Sequence, residues 1–200
     1  MNSNWVETNE VNDVAGSIRH VIHSFRLARE DPLAWKWVLL ALHSALQGSC
    51  VCHLTTSADP LGALTKKNEE DWRDYLDRSL SDHSLVPPGV FLMPLPELLK
   101  KVRTPYSAGD RSSAEGIKIS DAELKRLSIL HTKVRNQFVH FAPTLWSIEL
   151  SGTKELSALI VRIIEDMLKI GWAFRHFDDS QREEFRQSLH ELSQLEWPGP

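Results

Sequence analysis

Residues 33–54 carry apolar side chains on nearly every side of a helical projection, and this run constrains the chain more than any other stretch. A helix that is apolar all round must be covered all round. Other elements therefore have to pack about it, and it is expected to form the centre of a bundle. The run is long enough to tempt a membrane assignment, but Lys36, His43, Ser44, Gln47 and His53 interrupt Trp35 to Leu54. It reads as a buried helix and not as a membrane span.

The segments that would cover it keep helical period. Val11, Val14, Ile18, Val21, Ile22 and Phe25 predict a first helix from about Asn9 to Glu30, ended by Asp31-Pro32, with Pro32 opening the central helix. Leu156, Ile160, Ile163, Met167, Ile170, Phe174 and Phe177 form the strongest stripe. Ser180 and Glu183 are spaced as a capping box for a last helix that turns Phe185, Leu189, Leu192 and Leu195 inward and closes at Trp197-Pro198. Strand patterns are nearly absent and no internal repeat is visible. Leu145 to Leu150 alternates, and is either a short extended segment or a loop pinned by Trp146. The expected fold class is all-α, one domain over residues 1–200.

Residues 55–119 differ in character, with Asp59-Pro60, Pro87-Pro88-Gly89, Pro94, Pro96 and Pro105 punctuating them. They read as an irregular insertion covering one end of the bundle. Within it Asn68 can cap a short helix carrying Trp72, Tyr75, Leu76 and Leu80, and Pro96 to Arg103 gives a short amphipathic piece. Leu85, Val90, Phe91, Leu92 and Met93 are apolar enough to dock on the bundle or on a partner. Tyr106 to Gly116, polar and glycine-containing, reads as mobile.

After the insertion, Ser120 and Glu123 form a capping box that starts a third main helix, which Pro143 ends. Leu127, Leu130, Val134, Phe138 and Phe141 make its core stripe, while Thr132, Lys133, Asn136 and His140 make a second stripe opposite. Arg135 stands on the border. Arg135, Asn136 and His140 spell R-N-x3-H, and both charged types suit phosphate chemistry. Guanidinium is a permanent forked donor for phosphate oxygens, and imidazole exchanges a proton near neutral pH. Five positions of a straight helix separate Arg135 from His140 by about 140°. Either the helix distorts near His140, or the complementary group comes from another chain.

R-N-x3-H on the third main helix of a small all-α protein, behind a long apolar second helix, resembles the HEPN family (higher eukaryotes and prokaryotes nucleotide-binding domains). The resemblance covers the first two helices, the motif helix and the helix after it, and leaves residues 55–119 unexplained. It implies a HEPN-like helical bundle and a metal-independent endoribonuclease without cofactor. Arg135, Asn136 and His140 would be its catalytic residues, with Lys133 and Thr132 contacting substrate. RNA or a nucleotide, a second copy of the chain in a homodimer, and an antitoxin-like protein are the implied partners. Ile129, Thr132, Asn136 and Val139 are the residues expected near the two-fold. The alternative is a non-catalytic HEPN-like module that binds a nucleotide or a protein.

Other patterns bound this reading. The formal charge of -4 argues against a strongly basic nucleic-acid coat. Cys50 and Cys52, two apart on a helix, point away from each other, and Cys50-Val51-Cys52-His53 cannot close on one metal ion. Reduced cysteines and an N-terminus without a basic or apolar leader lead to the expectation of a cytoplasmic protein with no membrane or metal partner. His20 and His23 read as a solvent-facing pair. His43 and Gln47 either line the cleft beside the motif or satisfy each other, the second reading being slightly favoured. Lys100, Lys101 and Arg103 read as a solvated face that could still guide a phosphate backbone. Neither a Walker loop nor G-x-G-x-x-G, H-E-x-x-H or G-x-S-x-G occurs.

Overall fold

The computed structural model describes residues 5, 7–56, 60–140, 147 and 149–198, and of residue 140 the backbone alone. Helix α1, Glu10–Leu27, is capped by Asn9, whose side chain accepts the Asn12 N–H at 2.9 Å. It ends three residues earlier than its period suggests, in a turn through Glu30. Asp31 then caps a 3-10 turn, Pro32–Ala34, that runs into α2, Trp35–Leu54. Pro32 fits there because the first turn of a helix has no use for its missing N–H. Helix α2 is long and apolar enough to cross a membrane, yet 67% of that stretch is buried inside the bundle. Its residues Val38, Leu42, Ala45, Leu46 and Cys50 are fully covered.

The insertion splits into two parts with different roles. Helix α3, Lys66–Ser79, is peripheral and buries only Asn68. Asn68 is not its cap, as the sequence suggested, because Thr65 precedes the helix. From inside it, the Asn68 amide donates to the Gly89 carbonyl at 2.9 Å and accepts the Phe91 N–H at 2.7 Å. That bond pair straps the proline-rich segment to α3. Helix α4, Leu95–Val102, belongs to the core, with Leu95, Leu98, Leu99 and Val102 at zero exposure. Amphipathic period decides this, since the four apolar positions share one face.

Tyr106 to Gly116 is largely exposed, as its polar composition suggests, but it is tethered to the bundle. Ala108 is buried, the Gly109 N–H donates to the His53 carbonyl at 2.8 Å, and the Ile117 N–H donates to Val102 at 2.9 Å. A Cβ on Gly109 would lie 2.0 Å from the Thr55 carbonyl oxygen, so this backbone passes too close to the end of α2 for any side chain. Composition alone cannot register such long-range tethers. Val90, Phe91 and Leu92 remain exposed, whereas Met93 packs on the core.

The motif helix begins as α5, Asp121–Ile129, under a capping box in which Ser120 and Glu123 satisfy each other's N–H groups. It passes through a π-helical stretch, Leu130–Arg135, and resumes as α6, Asn136–His140. Leu127, Leu130 and Phe138 are buried and Val134 packs against them, while Phe141 and the expected stop at Pro143 lie outside the described residues. So does most of the Leu145–Leu150 alternation, including Trp146.

Helix α7, Thr153–Ile170, stops seven residues before the end of its apolar stripe. Gly171, at φ +91°, takes the left-handed conformation that ends helices. The chain then turns through a short 3-10 segment, Trp172–Phe174. Phe174 and Phe177 pack on Phe185 with centroids 4.9 and 5.6 Å away. Helix α8, Asp179–Ser193, is therefore capped by Asp178 with Gln181 completing the box, two residues earlier than Ser180 and Glu183 suggested. Trp197 closes the end against Phe25 and Trp35, at 4.7 and 6.0 Å. Among the described residues the architecture is all-helical, the Leu64/Leu92 bridge being its only β pairing.

Candidate functional site

Arg135 ends the π-helical stretch, where the Asn136 N–H reaches back five residues to the His131 carbonyl. Such wide turns recur at functional sites. The distortion among the described residues lies on the N-terminal side of Arg135, and the backbone from Asn136 to His140 is regular α-helix. The five regular steps to His140, and the rotation of about 140° they produce, are retained. Arg135 is half-buried and its Nη1 donates to Asn136 Oδ1 at 3.0 Å. This neighbour holds part of the guanidinium fork in place. The side chain of His140 lies outside the description.

Arg135 stands on the wall of a cavity of about 380 Å³ between α1, α2 and the motif helix. His43, Ser44 and Gln47 of α2 and Glu10 and Asp13 of α1 share that wall. The sequence slightly favoured a His43–Gln47 pair. Instead, His43 Nε2 and His131 Nδ1 share a hydrogen bond of 2.9 Å, with the rings stacked at 5.2 Å. Burial, then His131, then Arg135 push the His43 imidazole down to about 3. Burial and Arg135 also lower His131. Both rings are thus neutral at pH 7, and a neutral pair suits a bond that needs one donor and one acceptor.

Thr132 and Lys133 are exposed and do not line this cavity, and the Thr132 hydroxyl donates to the Ser128 carbonyl at 2.9 Å. Two charged wall residues, Glu10 and Asp13, and His131, the partner of His43, had no role in the sequence reading. His131 had a local signal, since it lies one turn before Arg135. Glu10 and Asp13 had none, because only the antiparallel packing of α1 on α2 brings them to the motif. Lys100, Lys101 and Arg103 are paired with Glu97, Glu69 and Asp121, which fits a solvated face.

No group of three metal-ligating side chains occurs among the described residues. Cys50 and Cys52 are buried free thiols, and burial raises both, Cys52 to about 12. His20 and His23 lie exposed with rings 6.4 Å apart. His53 is fully buried at the end of α2, within 3.1 Å of the Ser107 hydroxyl, and burial lowers it to about 4.

His43 and His53 make acid a destabilising condition. Their pKa values are depressed in the folded chain, so the unfolded chain binds more protons and stability rises with pH. The contribution is complete above about 6.5 and is lost as pH falls toward 4 and below. The urea midpoint is expected to drop steadily from pH 7 to pH 4.5. A midpoint constant over that range would mean that the two rings are solvated.

The fold and cavity define a class, an all-helical protein with a pocket built on one guanidinium, one imidazole bonded to a second behind it, and two carboxylates. No family model, no curated protein and no solved structure matches the chain.

Proposed function

We propose that the chain is a HEPN-like, metal-independent endoribonuclease of the cytoplasm that works as a homodimer. The observation that carries this is Arg135, held by Asn136 on a cavity wall beside a neutral histidine pair. A 2'-hydroxyl attacks the adjacent phosphorus, the O2'–P bond forms and the P–O5' bond breaks, leaving a cyclic phosphate and a free 5'-hydroxyl. Arg135 balances the charge of the phosphorane, Asn136 orients the guanidinium, and His140 moves a proton between the two oxygens. DNA lacks the attacking hydroxyl.

Purified protein incubated with mixed RNA is expected to cleave it equally well in EDTA. Activity lost on chelation and restored by a divalent ion removes the metal-independent route. The dimer is supported by exposed Ile129 and Val139 on the motif helix and by the unreconciled angle between Arg135 and His140. Light scattering is expected to give twice the chain mass at micromolar concentration. A fully active monomer removes the shared cleft.

A second reading, a non-catalytic nucleotide- or protein-binding module, is favoured by one observation. Glu10 and Asp13 outnumber the single cation on the cavity wall, which suits a small ligand better than a polyanion. Arg135-dependent binding of a nucleotide without RNA cleavage would establish it.

A further inference from the structure

The Arg135 cavity continues into a second one of about 440 Å³, and the two share Asp13, Leu40 and Ser44 on their walls. Together they form a groove along the antiparallel α1–α2 pair. Arg135 and His43 stand at one end. At the other stands Trp37, a residue 49% exposed, and Asp13 lies at the junction. Trp37 and His43 lie about 120° apart around α2 with Leu40 and Ser44 between them, and the six residues that separate them give a rise of about 9 Å along the helix. That is the scale on which one nucleoside separates its base from its phosphate.

The charge along this groove is selective. Arg135 is the one lysine or arginine on its two walls among the described residues, and Glu10 and Asp13 are the carboxylates. Lys36 sits outside the groove walls, its Nζ 4.8 Å from the Trp37 ring centroid. A single phosphate can neutralise Arg135, but a second one beside it would face two carboxylates at short range. Those same carboxylates accept hydrogen bonds from ribose hydroxyls and base amino groups. An exposed indole stacks on any base.

We propose that this groove is a subsite for one nucleoside unit bearing a single phosphate. The phosphate sits on Arg135, the ribose or base donors on Asp13 and the base against Trp37, while Glu10 and Asp13 reject a second phosphate. The assignment rests on Arg135 being a phosphate ligand, as in the function proposed above, and adds the residues that select what the phosphate is attached to.

Equilibrium binding of adenosine, AMP and ADP to the whole protein tests it. AMP is expected to bind more tightly than adenosine, through Arg135, and ADP no more tightly than AMP. Trp37→Leu is expected to weaken AMP roughly tenfold, within the range of one lost base stack, with Trp37→Phe retaining most of the affinity. Glu10→Gln with Asp13→Asn is expected to raise ADP several-fold relative to AMP. These side chains are exposed or half-exposed, and melting curves check that the variants fold. Absence of AMP binding, AMP affinity indifferent to Trp37→Leu, or ADP binding well above AMP in the unaltered protein overturns the subsite. The two readings fail separately. Arg135-dependent RNA cleavage with AMP affinity independent of Trp37 removes the subsite alone, whereas AMP binding that needs both Arg135 and Trp37 without RNA cleavage removes the nuclease alone.

Discussion

Arg135→Ala is expected to reduce RNA cleavage about a thousandfold while leaving the melting temperature nearly unchanged. A guanidinium that stabilises charge developing on phosphorus contributes roughly 10³–10⁵ in rate where it acts in phosphoryl transfer. The lower end applies here because Glu10 and Asp13 on the same wall offset part of its field. Little stability should be lost, since the described bond of the head group is to its neighbour Asn136, at a half-buried position. Arg135→Lys should recover little, because an ammonium cannot hold Asn136 and two phosphate oxygens in one plane. His140→Ala belongs to the same experiment and is expected to cost about 10²- to 10⁴-fold if that ring moves a proton. Cleavage by Arg135→Ala at the unaltered rate would sink the phosphate reading. A drop matched by loss of fold would make Arg135 structural.

Leu98→Ala is expected to destabilise the protein by about 2–5 kcal/mol, the range for deleting a fully buried leucine side chain without collapse of the space left behind. For a chain of this size that lowers the melting temperature by roughly 5–15 °C. Leu98 is fully buried on α4, within the segment that sequence composition marks as an insertion. Leu80, at the end of α3 in the same segment, is 83% exposed, and Leu80→Ala should change stability by less than about 0.5 kcal/mol. Equal, small effects at both positions would return α4 to the periphery. The contrast separates a peripheral strap from a core element that happens to be bounded by prolines.

What was legible in the sequence is what the backbone decides within one or two turns. The stripes of α1 and α7, the all-round apolar run of α2 and the Ser120/Glu123 box follow from helical period and from unsatisfied N–H groups, both of which depend on neighbours close in the chain. The helix ends were less so. Ser180/Glu183 and Asp178/Gln181 are both competent caps, and the packing of Phe174, Phe177 and Phe185 selects the second. Asn68 could cap a helix in isolation, but the proline-rich segment that passes it offers a donor at Phe91 and an acceptor at Gly89, and those bonds draw it inside.

The site divides in the same way. Arg135 and Asn136 were readable because they are adjacent on one helix, and the residue types alone carry phosphate chemistry. His43 meets His131 across 88 positions of sequence, and Glu10 and Asp13 reach the same wall from the first turn of α1. No local rule couples such residues. Their approach depends on how three helices bury their apolar faces at once, and so do the depression of both histidines and the charge of the cavity, because burial and the proximity of Arg135 exist only after the helices have packed.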